Sequence, residues 1–446
     1  MATKLLENAV MVHVLTYDFA GTNLATGAAK PCRTTGLVTH THQLLVGWSR
    51  IVPNMRLALT HTGRTRLGGY YLRTTAGGKI ALAQGIATGF PDLLSTPGRP
   101  GKDPARVQHF YEDEINRHDN PVYRALAQQY AHVIRVAGTR NLLAQNINPI
   151  ISVLKAEEYG DMPADQIGQL AVTGVVHDTA DVAARFSYLA SRIPLTEHRV
   201  RLIAISSPVH DALVAAGIPE QLVHTVPNGL DVAQFEQRLA DARSAGAFRA
   251  VRARNGLPAT GDMILMSARR VAWKGHLDLI EGARLITRRG ITGFYVVING
   301  NGMTDTREPD YENELRHRIA TAGLTDRVYL LDDLSSTELA ACYDAATVAV
   351  HPSRHPEPWG YSNIEAMLAN TALITTDHGA PASYITHGQS GLLVTPHDPA
   401  AIADALARLL TDRDERGRLA LAGRLVARQF TVEAMARAYH RVITRP

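Results

Sequence analysis

Apolar runs alternate with stretches of helical periodicity along most of the chain. The runs at 9–18, 56–61, 141–146, 172–177 and 201–206 predict strands in the first half. Those at 262–268, 294–299, 327–331, 346–350 and 371–375 predict strands in the second. Between them, segments such as 274–289, 310–323, 335–345, 362–370 and 398–411 put their apolar residues on one helical face. Strands that alternate with helices predict parallel sheets joined by right-handed crossovers. No low-complexity tract or short-period repeat interrupts the alternation.

The pattern breaks near 229–260. Pro227-Asn228-Gly229 is a turn cluster, a charged, alanine-rich stretch follows, and a new strand begins at 262. A chain of 446 residues is too long for one ordinary core. The reading is therefore two Rossmann-like α/β domains, 1–235 and 236–429, facing across a cleft. A terminal helix, 430–446, should cross back onto the first domain on Phe430, Met435, Tyr439 and Val442, because the second sheet is complete before it. The region 64–120 is poorly patterned and rich in Gly, Pro and charge, and reads as insertions or long loops.

Composition narrows the class. The chain is 45% hydrophobic and 20% charged, as in a soluble globular protein. No apolar run reaches the ~18 residues that a membrane span needs. The start, MATKLLENAVMVHVLTYD, reads as an opening strand and not as a signal peptide, so a cytoplasmic location is expected. Cys32 and Cys342 stand far apart, which suits a reducing compartment and leaves no disulfide framework. The net charge of +4 is mild, and no basic run with interleaved aromatics points to nucleic acid. A slight basic bias suits an anionic small substrate, or weak peripheral contact with an anionic membrane. The oligomeric state is left open.

Two segments carry chemistry. The first is His351-Pro-Ser-Arg-His-Pro-Glu357-Pro-Trp-Gly360-Tyr361-Ser362-Asn-Ile-Glu365, which follows the strand at 346–350. Pro356 and Pro358 forbid helix there, so Glu357 lies in a loop. Ser362 and Glu365 have the spacing of a capping box, so a helix should start at about Ser362. Its N-terminus is an anion site, and carboxylates beside it can accept hydrogen bonds from sugar hydroxyls. The second segment, Ser267-Ala-Arg269-Arg-Val-Ala-Trp273-Lys274-Gly275, leaves the first strand of the second domain. Arg269 and Lys274 should converge at the mouth of that sheet, where ligands of open parallel sheets bind, and could hold a diphosphate.

With these residues in view, the chain resembles the retaining glycosyltransferases of family 4, which have the GT-B fold. The matching elements come in the family's order: Val226-Pro227-Asn228-Gly229-Leu230-Asp231, Arg269 with Lys274-Gly275, and Gly300-Asn301-Gly302. Pro352-Ser353, the pair Glu357 and Glu365, and Gly388 with Gly391-Leu-Leu-Val follow. The match is strong over 200–430 and loose before 200. The resemblance implies a nucleoside-diphosphate sugar donor, with a UDP-sugar favoured, and a hydroxyl acceptor that is a small molecule or a glycan. It makes Arg269 and Lys274 the diphosphate ligands, Glu357 a ligand of the donor sugar and Glu365 a ligand of the ribose. Gly360, Tyr361 and Ser362 would touch sugar and phosphate through their backbone amides, and the base would lie near 331–336. Gly36, opening the first long helix, resembles the family's phosphate-side glycine loop, with Thr35 in place of a second glycine. His177, at the end of the strand 172–177, resembles the family's cleft histidine, which touches the donor sugar. Asn370 replaces a glycine at a helix end, where asparagine tolerates the left-handed conformation.

No cofactor and no metal site are expected. The first domain has no clear Asp-x-Asp after a strand. Lys274, Arg269 and helix N-termini would neutralise the leaving diphosphate in a cation's place. The first domain shows no clear general base or carboxylate nucleophile; His177-Asp178 is the only nearby pair, with His177 assigned to the sugar, and this predicts retention by same-face attack. A nicotinamide oxidoreductase fails because Gly300-Asn-Gly302 lacks the third glycine of its fingerprint. A sugar-nucleotide epimerase of the same fold is the alternative; a catalytically dead sugar-nucleotide-binding protein is a third reading.

Overall fold

The computed structural model describes residues 11–16, 22–23, 36–51, 56–61, 70–73, 79–81, 112–162, 166, 168–179, 182–300, 311–332 and 334–445. The chain divides into two compact units, one of Met1–Gly229 with Thr431–Pro446, the other of Leu230–Phe430. The boundary thus lies at Gly229–Leu230 and not at 235–236. The charged, alanine-rich stretch is two helices of the second unit, Val232–Ser244 and Ala247–Asn255. Asp231 caps the first of them, its side chain accepting from the Gln234 N–H at 3.2 Å.

The first unit holds strands β1 (Met11–Thr16), β2 (Thr22–Asn23), β3 (Arg56–His61), β4 (Tyr70–Arg73), β5 (Lys79–Ala81), β6 (Asn141–Gln145), β7 (Ala171–Val176), β8 (Arg199–Ala204) and β9 (Val223–Thr225). Six of them form a sheet in the order β3-β1-β6-β7-β8-β9, and every neighbouring pair is parallel. β7 is buried along its whole length, as expected of a central strand covered on both faces. β2, β4 and β5 form a separate antiparallel sheet, so part of the region read as loops is strand.

The terminal helix, Val432–Thr444, belongs to this first unit. Thr431 caps it, and Val432, Met435, Ala436, Tyr439, Val442 and Ile443 are its buried face. It packs on the helix Gly36–Ile51: Trp48 Nε1 donates to the Ala436 carbonyl at 3.1 Å, and Arg50 pairs with Glu433 at 2.6 Å. Phe430, expected on the same face, instead packs in the second unit against Trp359 and Tyr384, with ring centroids at 5.0 and 5.7 Å.

The second unit holds β10 (Asp262–Ser267), β11 (Phe294–Asn299), β12 (Val328–Leu331), β13 (Val348–His351), β14 (Ala372–Thr376) and β15 (Leu392–Val394). They form a six-stranded parallel sheet in the order β12-β11-β10-β13-β14-β15. Ile264, Met266, Val296, Ile298, Val350 and Ile374 are fully buried and pack with Leu279 and Ala283 of the helix His276–Arg288 and Leu406 of the helix Pro399–Thr411. Each such side chain removed from water stabilises the unit by about 1.5–3 kcal/mol before entropy is counted. β10 and β13 are adjacent at the centre, and both site segments leave their carboxyl ends. Asn370 takes the left-handed conformation, φ 63°. Among the described residues no helix is long and apolar enough to cross a membrane.

Candidate functional site

The site in the second unit starts from a backbone contact. Gly275 closes the short turn Ala272–Lys274 at φ 82°. A Cβ there would strike the Pro352 carbonyl oxygen, so the loop after β10 lies directly on the loop after β13. This brings Lys274 to Glu357, 83 residues further along the chain, and the two form an ion pair. The Lys274 ammonium also lies 4.0 Å from the centroid of the Trp273 ring, and the Arg269 guanidinium lies 5.9 Å from it. Trp273 is thus the platform that gathers both cations. Its ring stacks on His355 at 6.2 Å, and its carbonyl accepts from the Arg354 N–H at 2.7 Å. Arg354 forks onto Asp278 with two bonds of 2.7 Å, which fixes this loop to the helix His276–Arg288.

Glu357 is held on three sides. Its backbone bridges to Gly379, its carbonyl accepts from the Ala380 N–H at 2.8 Å, and Ser353 Oγ donates to its carboxylate at 3.1 Å. Burial pushes the Glu357 carboxyl up, but the Lys274 charge with the bonds from Lys274 and Ser353 outweighs it and holds the group below its ordinary value.

The helix beside it runs Tyr361–Leu368 and begins on Gly360, at φ 85°, with no side chain capping its first turn. The capping box expected of Ser362 and Glu365 is therefore absent: the left-handed glycine turns the chain, and Ser362 already lies inside the helix. The first N–H groups, at Tyr361 and Ser362, have no acceptor within the helix itself. His351 Nδ1 donates to Asn363 Oδ1 at 2.7 Å, and burial lowers this imidazole to about 4. A cavity of about 10 Å³, the room of one water, is lined by Lys274, His351, Ser353, Glu357, Ser362 and Asn363 among others. Glu365 lies on the same helix but outside that lining; burial raises it to about 7, against the pull of Tyr343 and Arg238. Burial also raises the Tyr361 phenol.

His177 and Gly36 lie in the first unit. Gly36 opens the helix Gly36–Ile51, and the rest of the expected glycine loop falls outside the described residues. Asn301 and Gly302 also fall outside them. His177 follows β7, and its Nε2 lies 3.0 Å from Gln145 Oε1. Burial lowers its pKa to about 3. The Asp178 carboxylate accepts from the Thr179 N–H at 2.8 Å. The sequence singles out neither Gln145 nor a role for Trp273. Trp273 immediately precedes Lys274 and follows Arg269 by four residues, which is the available signal. Gln145 has none. Among the described residues no group of three metal-ligating side chains is gathered.

The chain matches the family described as glycosyl transferases group 1 over residues 248–426. It is similar to D-inositol 3-phosphate glycosyltransferase of Xylanimonas cellulosilytica, 30% identical over 278 residues, covering 61% of this chain and 58% of that one. It is also similar to mannosylfructose-phosphate synthase of Agrobacterium fabrum, 28% identical over 232 residues, covering 51% and 49%. The matched stretch spans about half the length of these curated relatives. In fold it is similar to the Anabaena protein Alr3699/HepE, crystallised with UDP and glucose: TM-score 0.67, 16% identity, covering 98% of this chain and all of the other. The motifs, the two parallel sheets and these likenesses lead to one statement: residues 248–426 belong to the glycosyl transferases group 1 family, in a chain of GT-B fold.

Proposed function

We propose that this protein is a retaining glycosyltransferase that moves a hexose-type sugar from a nucleoside-diphosphate sugar to a hydroxyl acceptor, without a metal. The observation that carries the reading is the Lys274–Glu357 pair beside an uncapped helix N-terminus. A cation, a carboxylate and free N–H groups around one cavity are the groups that a sugar diphosphate needs. Lys274 and Arg269 would neutralise the leaving diphosphate, with the amides of Tyr361 and Ser362 on its oxygens. Glu357 would accept from the sugar hydroxyls and Glu365 from the ribose. A UDP-linked sugar is favoured, in keeping with the UDP bound by the Anabaena protein. The names of the two curated relatives make a phosphorylated polyol the first acceptor to try. Those relatives are a transferase and a synthase, and nothing in them favours an epimerase.

Retention is supported by the weakness of His177 as a base. An imidazole lowered to about 3 is a weak proton acceptor at neutral pH. With no other base in the reading, the departing phosphate oxygen takes the acceptor's proton on the face that it leaves. The product should therefore keep the donor's anomeric configuration, read from the NMR coupling constant of the isolated glycoside, and activity should persist in excess EDTA. An inverted centre would expose a missed base. Inhibition by EDTA that Mg²⁺ reverses would remove the metal-free step.

Glu365 gives a second test. Raised to about 7, it holds its proton in the free protein over part of the neutral range. Accepting from ribose hydroxyls requires the ionised form. UDP binding should thus release up to one proton near pH 6–7 and weaken as pH falls. Calorimetry in buffers of different ionisation heat measures this, and Glu365→Gln should abolish the release. The sign for stability is opposite: a carboxyl raised in the fold stabilises less as pH climbs from about 4.5 to 7.

A further inference from the structure

We infer that Gln145 is a positioning residue for His177, and that His40 and Tyr439 of the terminal helix seat it. The inference rests on reading His177 as a ligand of the donor sugar.

Gln145 ends β6, beside β7, and is fully buried. Its Oε1 lies 3.0 Å from His177 Nε2. An amide oxygen only accepts, so the His177 proton sits on Nε2. A neutral imidazole with Nε2 protonated keeps its lone pair on Nδ1. His177 is then a fixed acceptor at Nδ1, suited to a sugar hydroxyl and unable to present the other tautomer.

The support behind Gln145 is also polar. His40, fully buried on the helix Gly36–Ile51, sits edge-on to His177 with ring centroids 4.6 Å apart. Burial lowers it well below its ordinary value, the neighbouring His177 adds to this, and a bond to Gln145 opposes it. Its Nε2 lies 3.0 Å from the Tyr439 hydroxyl. Tyr439 is fully buried on a helix anchored by Trp48 and Arg50. Three neutral polar side chains in line, where aliphatic ones would pack at no desolvation cost, need a reason. Gln145 sharpens the point: its buried amide nitrogen has no partner among the described residues.

The test uses the full chain, with UDP and UDP-glucose as probes in calorimetry. Gln145→Leu should weaken UDP-glucose about tenfold, the loss of one oriented hydrogen bond, and leave UDP within about twofold. Gln145→Glu, which keeps the acceptor oxygen, should restore most of the affinity. Tyr439→Phe should give a smaller loss of about threefold. In a His177→Ala background, Gln145→Leu should change nothing further. Additive losses, or equal weakening of UDP, would overturn the positioning role. If His177→Ala leaves UDP-glucose binding unchanged, the reading of His177 as a sugar ligand fails instead. The positioning claim is then decided without ligand, by ¹⁵N-histidine spectra. They should show His177 protonated on Nε2 and exchanging slowly, with that protection lost in Gln145→Leu. A proton on Nδ1 in the unaltered chain overturns the inference.

Discussion

Lys274→Ala should lower turnover about a hundredfold at saturating donor, the roughly 3 kcal/mol that one charge contact to a developing anion is worth in a sheltered site. Arg269→Ala should cost less, because its guanidinium stands further from the Trp273 platform, at 5.9 Å against 4.0 Å for Lys274. Turnover within a few-fold of the unaltered chain would remove Lys274 from the diphosphate site.

The same substitution carries a stability signature. In the unaltered protein the Glu357 carboxyl is held below its ordinary 4.5 by Lys274 and Ser353. Its contribution is present above about 4.5 and is lost as pH falls through the lower folded value. Without Lys274 the burial penalty is opposed by little more than the Ser353 bond, and the folded value rises above 4.5. The sign then reverses, and stability falls as pH climbs. At pH 8 the loss should be on the order of 2 kcal/mol, less than the ~3–5 kcal/mol of a fully buried broken pair, because both side chains keep some exposure, 15% and 16%. That is roughly 5 °C in Tm for a unit of this size, shrinking toward nothing at pH 5. Lys274→Ala with Glu357→Gln should recover the Tm at pH 8 and none of the turnover. A Tm loss equal at pH 5 and pH 8 would mean that Glu357 is not buried against Lys274.

What could be read beforehand divides along physical lines. β10 and β11 are six-residue strands, with four residues of the first and all six of the second buried, long enough for the apolar pattern to declare them. β9 and β15 have three residues each, too few for any period, and only their neighbours in the sheet make them strands. The helix at Tyr361–Leu368 was expected, but its first residue was not. Ser362 and Glu365 have the spacing of a capping box, and a left-handed Gly360 made that cap unnecessary. Lys274 and Glu357 were each visible as candidates, but their pairing across 83 residues is a property of two strand ends. Gln145 was invisible because a single polar residue at a strand end has no pattern. Only the adjacency of β6 and β7 gives it His177.

Gly275→Ala should cost about 3 kcal/mol of stability and most of the turnover. Two terms add. An L-residue at φ 82° carries a backbone cost of roughly 1–2 kcal/mol. The new Cβ would also strike the Pro352 carbonyl oxygen, which belongs to the backbone and cannot rotate aside. One of the two loops must move. Lys274 precedes the glycine and Ser353 follows the proline, so the move separates Lys274 from the Ser353–Glu357 pair that it faces. A displacement of about 1 Å is enough to cost on the order of a hundredfold in rate. Gly290→Ala is the control. Gly290 has φ 84°, but a Cβ there meets nothing within 4 Å. It shares the backbone cost without the collision, so it should lose about 1–2 kcal/mol and keep its turnover. The difference between the two variants measures the contact between the loops. If Gly275→Ala matches Gly290→Ala in both Tm and rate, the close approach of Gly275 to Pro352 does not hold the site together.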